Sequence, residues 1–161
     1  MADLMEAHYA EFRKIAHAVL RGQHGPCLQP TELAHEAAMR LVGVDSGAIG
    51  GRTHFLSLSA RMMRQILIDE IRKRRSAKRQ PPSFATTWPA GEGGELIDLE
   101  LLDTALKKLE TFKPDHASLV DRRFFAGLTL EEIAVVDGVS LSTVKRQWRA
   151  VRTWLVSELS A

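Results

Sequence analysis

The chain has 161 residues, 45% of them hydrophobic, which excludes global disorder and allows one or two small domains. The formal net charge is only +2, and a single cysteine, Cys27, excludes an internal disulfide bond or a cysteine-rich zinc site. No apolar run approaches the roughly 20 residues of a membrane span, and the first residues lack a signal-peptide pattern. We therefore expect a cytoplasmic protein without a membrane segment.

The first half of the chain is predicted to be helical. Proline and glycine are sparse and no alternating β-rich run occurs, so we expect an all-α protein. Apolar residues at three- and four-residue steps predict helices over residues 3–21, about 30–44 and 53–75. Residues 45–51 are predicted to form the loop between the second and third helices.

Residues 80–95, QPPSFATTWPAGEGGE, differ in composition from the segments on either side. They hold three prolines and three glycines, and they are longer than a typical connection within a compact domain. We expect two small helical domains, 1–79 and 96–161, joined by this segment as a flexible linker.

The second domain is predicted to contain two helices and then a helix-turn-helix. The helices are expected over about 96–111 and 114–125, and the motif is TLEEIAVVDGVSLSTVKRQWRAVR, residues 129–152. Thr129 and Ser140 stand where they would cap the two helices of the motif.

The turn of this motif is predicted to contain a left-handed glycine, and its second helix a buried apolar face. Gly138 stands at the turn, where a left-handed backbone is required. Val144, Trp148 and Val151 recur at helical spacing and are expected to face inward.

The outward face of the second helix carries hydroxyl groups near its start and cations along its length. Such a helix suits the DNA major groove, where these groups contact phosphates and base edges. The alternative is a helical hairpin of a plain bundle with a solvated basic face. The predicted DNA-binding residues are Ser142, Thr143, Lys145, Arg146 and Arg149.

A second basic segment lies at residues 61–79. It holds eight cations and two acids, a local charge of +6 that leaves −4 for the rest of the chain. Such a stripe on an otherwise slightly acidic chain indicates a surface directed at nucleic acid. The alternative is a solvated helix end whose cations are favoured by the helix dipole.

This order of features resembles the extracytoplasmic-function (ECF) sigma factors of bacterial RNA polymerase. The resemblance rests on residues 31–42 (TELAHEAAMRLV), 53–79 (THFLSLSARMMRQILIDEIRKRRSAKR), 101–110 (LLDTALKKLE) and 122–155 (RRFFAGLTLEEIAVVDGVSLSTVKRQWRAVRTWL). It implies a chain that binds core RNA polymerase and directs promoter recognition, rather than an enzyme. A stand-alone helix-turn-helix regulator is the competing function.

The resemblance also implies a role for each domain. The C-terminal domain would read the −35 promoter element through the helix-turn-helix. The N-terminal domain would bind the −10 element and hold its unpaired bases, which requires a basic track. The residues expected to supply that track are Arg61, Arg64, Arg72, Arg74, Arg75 and Lys78.

One segment departs from the pattern of the family. Many ECF sigma factors carry a run of acids before and at the start of the second helix, which contacts polymerase; here only Glu32 and Glu36 are acidic. Thr31 stands where a carboxylate is expected, and a phosphate there would restore negative charge at a helix N-terminus. We hypothesise that a Ser/Thr kinase modifies Thr31, with Thr53 a weaker candidate site. The alternative for Thr31 is a helix cap, and an anti-sigma factor is the other expected regulator.

No catalytic or metal-binding pattern is evident in the sequence. His35 and Glu36 begin like a zinc-protease HExxH motif, but Met39 occupies the position of the second histidine. We expect no cofactor and no metal.

Overall fold

The computed structural model describes residues 2–20, 28–44, 50–77, 85–89 and 91–160. Over these residues the protein consists of seven α-helices and one two-stranded sheet, so the prediction of an all-α fold is confirmed. Among the described helices, none combines the length and apolarity that a membrane span requires.

Three helices form the N-terminal half, close to their predicted limits. They are α1 (Ala2–Leu20), α2 (Pro30–Val42) and α3 (Arg52–Ser76). Their apolar stripes meet in a common core, where the rings of Phe12 and Phe55 contact edge to face at 5.5 Å between centroids.

Four helices form the C-terminal half, and the predicted helix over 114–125 changes type partway along. Its first part is α-helical and its second part is a π-helical turn, which leads directly to the helix-turn-helix. The elements are α4 (Leu99–Phe112), α5 (Pro114–Val120), the π turn (Asp121–Phe125), α6 (Leu130–Asp137) and α7 (Leu141–Ser160).

Part of the predicted linker pairs with residues 96–98 to form a small sheet, so the helix predicted to begin at about residue 96 begins at Leu99 instead. Strands β1 (Ala85–Thr87) and β2 (Leu96–Asp98) are antiparallel, with Thr86 opposite Ile97. Strands of three residues are too short to show an alternating pattern, which is why the sequence did not predict them.

The segment between the two strands is fixed to the C-terminal half by aromatic and polar contacts. The ring of Trp88 lies 5.5 Å from that of Phe124 and beneath the guanidinium of Arg152. The carboxylate of Glu92 accepts a hydrogen bond from the indole N–H of Trp148, and its backbone carbonyl accepts one from Arg152 at 3.1 Å. The described part of the segment therefore packs on the helix-turn-helix.

Helix α3 lies between the two halves and is buried on two sides. Helices α1 and α2 pack on it from one side, and α4, the π turn and α6 from the other. Leu56, Met63 and Leu67 of α3 are accordingly buried. Both halves contribute to one continuous apolar core. The division into domains 1–79 and 96–161 stays a prediction about units that fold independently.

A buried arginine of α3 is the centre of the contact between the halves. The side chain of Arg64 is 0% exposed and is surrounded by three carboxylates. Its Nη2 donates to Glu110 at 3.1 Å, its Nη1 lies 3.2 Å from Asp103, and its Nε lies 3.4 Å from Asp121. A buried guanidinium requires such compensation, because burial of an unpaired charge costs several kcal/mol, to order of magnitude.

Two hydroxyl contacts and one glycine also belong to this interface. The hydroxyl oxygens of Ser57 in α3 and Ser118 in α5 lie 2.6 Å apart. Gly127 has a φ angle of 73°, and a Cβ atom built on it would lie 3.0 Å from the Cβ of Ala18 in α1. The second hydroxyl contact, between Thr53 and Asp137, is described below with the site.

Burial of Asp121 predicts that the stability of the protein depends on pH. The pKa of the Asp121 carboxyl group is raised from 3.8 to about 7, chiefly because the group is buried. The guanidinium groups of Arg64 and Arg61 lower this pKa, and the carboxylates of Glu110 and Asp103 raise it. The native state thus favours protonated Asp121. Proton binding at Asp121 therefore stabilises the native state against the unfolded state. This contribution is fully present below about pH 4 and is lost as the pH rises through about 7.

Asp121→Asn should therefore lose less stability than the parent protein between pH 5 and pH 8. Over this pH range, the free energy of unfolding of the parent should fall by about 2 kcal/mol more than that of Asp121→Asn. Urea unfolding followed by circular dichroism measures it, with Glu131→Gln on the exposed surface of α6 as control. Equal pH dependence in Asp121→Asn and the parent would contradict the prediction.

Candidate nucleic-acid interface

The helix-turn-helix forms as its capping and turn residues predict. The hydroxyl of Thr129 accepts from the backbone N–H of Glu132 at 3.1 Å, and the Glu132 carboxylate accepts from the Thr129 N–H at 3.3 Å. Gly138 ends α6 in the left-handed conformation, with a φ angle of 68°. The hydroxyl of Ser140 accepts from the N–H of Thr143 at 3.2 Å and caps α7. All three predicted roles are confirmed.

The inner face of the motif is packed into the core of the C-terminal half. Ile133 and Ala134 of α6 and Val144, Trp148 and Val151 of α7 are buried, as predicted for Val144, Trp148 and Val151. Because the buried face is fixed, the opposite face of α7 has a defined direction toward solvent.

The cations of that outer face have no ion-pair partner among the described residues. Lys145, Arg146 and Arg149 are exposed. None of the three forms an ion pair with another residue in the described part of the chain. Three free cations on one helix face are available to the phosphates and bases of a duplex.

The two predicted hydroxyl contacts lie at the N-terminus of α7. The oxygens of Ser142 and Thr143 are 3.2 and 2.8 Å from the capping oxygen of Ser140. Ser142 is exposed and Thr143 half-buried. The first turn of α7 therefore presents hydroxyl groups where the helix dipole favours an anion.

The basic face of α3 is placed differently, because most of its cations are already paired with acids. Arg74 pairs with Glu70 of its own helix at 3.1 Å. Four further residues of the predicted track, Arg61, Arg64, Arg72 and Arg75, pair with carboxylates of the C-terminal half. Lys78 lies outside the described residues, as do residues 45–49 of the predicted loop.

The acids that pair with α3 form a row on α4, and the sequence analysis missed it. Glu100, Asp103 and Glu110 are three and seven residues apart, so they lie on one side of a helix. Each contacts at least one arginine of α3. That spacing is visible in the sequence and indicates an acidic face on α4. It does not show which cations pair with this face, because that depends on how the two halves pack.

The surface predicted to contact polymerase is exposed. Glu32 and Glu36 lie on the outer side of α2 and line a shallow groove with Asp69 and Glu70 of α3. Glu36 pairs with Arg40 at 3.4 Å. The groove thus contains two acids from α3 that the sequence analysis did not assign to this surface.

Thr31 is not a helix cap, so that alternative is wrong. Helix α2 begins at Pro30 and its cap position is Gln29, whose backbone N–H donates to Glu32 at 3.1 Å. Thr31 is the second residue of the helix and is exposed, and within the described residues its hydroxyl has no hydrogen-bond partner.

Thr53 is in a different environment. It is half-buried at the start of α3, and its hydroxyl donates to the carboxylate of Asp137 at 3.0 Å and to the carbonyl of Val136 at 3.3 Å. Asp137 also pairs with Arg122. The hydroxyl of Thr53 therefore belongs to the contact between α3 and α6.

Metal-binding geometry is not found in the part of the chain that the structure describes. No group of three or more histidine, cysteine or carboxylate side chains there has a suitable arrangement. The described surfaces are instead a free cationic face on α7, a paired cationic face on α3 and an acidic groove at α2.

A family model described as ECF sigma factor matches residues 1–161. The co-crystal structure of the sigma factor RpoE in complex with the anti-sigma factor NepR from Bartonella quintana has 18% sequence identity to the chain. That comparison covers 100% of this chain and 99% of the other, with a TM-score of 0.38. The search of curated proteins found no match. Because the family match extends over all 161 residues, the chain belongs to the ECF sigma factor family.

Proposed function

We propose that this sigma factor joins core RNA polymerase in the cytoplasm and places it on promoters through two separate DNA contacts. Helix α7 reads the −35 element and the basic face of α3 engages the −10 element. The observation that carries the proposal is the unpaired cationic face of α7, which a capped helix-turn-helix directs to solvent.

At the −35 element, the residues of α7 divide between positioning and reading. Ser142 and Thr143, at the helix N-terminus, contact backbone phosphate. Lys145 neutralises a phosphate, and Arg146 and Arg149 reach guanine edges, for which the planar guanidinium group is suited.

At the −10 element, α3 supplies a track of cations for the displaced strand. Separated strands lose base stacking, so a protein that holds them must bind the phosphate backbone along its length. Arg61, Arg64, Arg72, Arg74, Arg75 and Lys78 supply this binding, once the carboxylates that pair with the five arginines are displaced.

Polymerase binding uses the outer side of α2, and phosphorylation of Thr31 strengthens it. Thr31 is exposed in the first turn of α2, next to Glu32, and its hydroxyl has no hydrogen-bond partner in the part of the chain that the structure describes. A phosphate there adds about −1.5 to −2 charges at a helix N-terminus, where negative charge is stabilised. We propose a Ser/Thr kinase as the activating partner, and an anti-sigma factor as the alternative regulator.

Alanine substitutions on α7 should weaken promoter binding by the holoenzyme. The promoter is first selected from a randomised DNA library with that holoenzyme. Arg146→Ala and Arg149→Ala should each cost about 1–3 kcal/mol and relax base preference. Lys145→Ala should weaken binding to all sequences and lower the salt slope by about 1.

Fluorescence anisotropy at several salt concentrations measures these effects, with Lys14→Ala on the exposed side of α1 as control. Losses in Lys14→Ala equal to those of the α7 variants would contradict a specific role for α7. If the protein alone binds DNA tightly and core polymerase gives no run-off transcript with it, the chain acts as a stand-alone regulator instead.

Charge at Thr31 should control binding to core polymerase. Thr31→Asp and kinase-treated protein should retain more core enzyme in a pull-down than Thr31→Ala, with Thr153→Asp on α7 as control for added charge. Equal retention by all forms, untreated parent protein included, would remove the switch and leave the sigma function untouched.

A further inference from the structure

Two residues of the predicted linker contact the helix that carries the predicted −35 contacts. We call Trp88 and Glu92 the linker clamp. The guanidinium of Arg152 lies 4.9 Å from the ring centroid of Trp88, and Glu92 accepts hydrogen bonds from both Arg152 and Trp148. Because Trp148 and Arg152 are four residues apart, they lie on the same side of α7. The clamp therefore holds one full turn in the middle of this helix.

The carboxylate of Glu92 also connects α7 to the segment that leads into α6. Its second oxygen lies 3.6 Å from Nη2 of Arg123 in the π turn. Nη1 of Arg123 donates to the carbonyl of Leu128 at 3.0 Å, one residue before the Thr129 cap of α6. The Arg123 guanidinium also lies 6.0 Å from the ring centroid of Trp148. One carboxylate thus contacts the second helix of the motif and, through Arg123, the entrance to the first.

The indole N–H of Trp148 requires an acceptor because the side chain is buried. Trp148 is 3% exposed, and a buried donor without a partner destabilises the fold. Glu92 supplies the acceptor from 56 positions earlier in the chain. Trp148 lies between Arg146 and Arg149 in the sequence, so a displacement of its backbone also displaces these two arginines.

The loop that carries Glu92 has a specific backbone shape. The pairing of Thr87 with Leu96 closes the loop at its base. Gly91 and Gly93, on either side of Glu92, have φ angles of 87° and 116°, a region that favours glycine. The glycines that predicted a flexible linker therefore also fit the turn that brings Glu92 to α7.

We propose that Glu92 is a positioning residue for recognition of the −35 element. It acts through Trp148 and Arg123, and these two contacts fix the direction in which α7 presents Arg146 and Arg149. This inference rests on the proposed role of α7 in DNA binding and extends that role to a residue of the linker.

The reading of bases depends more strongly on the direction of a helix than the binding of phosphates does. A guanidinium group reads guanine only when both of its hydrogen bonds reach the base edge, whereas the attraction of a cation to a phosphate falls gradually with distance. Loss of the Glu92 contacts should therefore reduce base preference and leave the salt dependence of binding unchanged. A purely electrostatic role for Glu92 would change the salt dependence instead.

Glu92→Ala tests the proposal in the holoenzyme formed with the full chain. Fluorescence anisotropy compares binding to a promoter selected from randomised DNA and to the same promoter with a scrambled −35 element. The ratio of the two dissociation constants reports base preference and is independent of the folded fraction of a variant. In Glu92→Ala this ratio should fall about tenfold, which corresponds to one lost base contact.

Two variants separate the hydrogen bond to Trp148 from a general effect of charge. Glu95→Ala is the matched control, because Glu95 is an exposed acid of the same segment, and its ratio should equal that of the parent. Glu92→Gln keeps a carbonyl that can accept from Trp148, so its ratio should stay within about threefold of the parent. Equal ratios in Glu92→Ala and Glu95→Ala, or equal losses in Glu92→Ala and Glu92→Gln, would overturn the proposal.

Nuclear magnetic resonance of the free chain reports the contact without DNA. The indole N–H of Trp148 gives a cross-peak in the proton–nitrogen correlation spectrum, assigned by its loss in Trp148→Phe. Glu92→Ala should shift this peak, and Glu95→Ala should leave it in place. If Glu92→Ala does not fold, Glu92→Asp takes its place, since its carboxylate is withdrawn by one methylene group. An unshifted peak in the folded Glu92 variant would overturn the proposal.

Arg146→Ala, measured in the same binding assay, separates this inference from the proposed function. A lower ratio in Arg146→Ala together with an unchanged ratio in Glu92→Ala would contradict only the positioning role. An unchanged ratio in Arg146→Ala would contradict the reading of the −35 element by α7, and with it the basis of the inference.

Discussion

The arrangement of the two halves depends on the guanidinium group of Arg64. Its charge lies in the core without solvent exposure, so the fold must bring carboxylates to it, and Asp103, Glu110 and Asp121 all come from the other half. Placement of α4 and the π turn against α3 is thereby linked to one side chain. The same placement brings Glu100, Asp103 and Glu110 of α4 next to three further arginines of α3, which are Arg75, Arg72 and Arg61 respectively.

This constraint places the two cationic helices in different environments. Helix α7 is supported from beneath by a packed apolar face and holds its cations in solvent, as a helix that reads duplex DNA must. Helix α3 holds its cations against carboxylates. A sigma factor that meets polymerase before it meets DNA gains from this asymmetry, since exposed basic tracks bind nucleic acid of any sequence.

Much of this architecture was predictable from the sequence, because its determinants are local. Helix periodicity, the caps at Thr129 and Ser140 and the turn at Gly138 each depend on a few neighbouring residues, and the structure confirms them. The burial of Arg64 and its pairing with α4 depend on contacts between residues about 40–60 positions apart. No periodic pattern reports such contacts, so a buried arginine and an exposed one have the same appearance in the sequence. The assignments of individual residues to DNA and to polymerase stay predictions.

The distance between the halves, measured in the free chain and in the promoter complex, tests the account most directly. Spin labels on Met39→Cys in α2 and Thr153→Cys in α7, both exposed, with Cys27→Ser, report it by pulsed electron paramagnetic resonance. The account predicts one short distance for the free chain and a longer one when the chain is bound to core polymerase and promoter DNA. The same distance distribution in both states would contradict it.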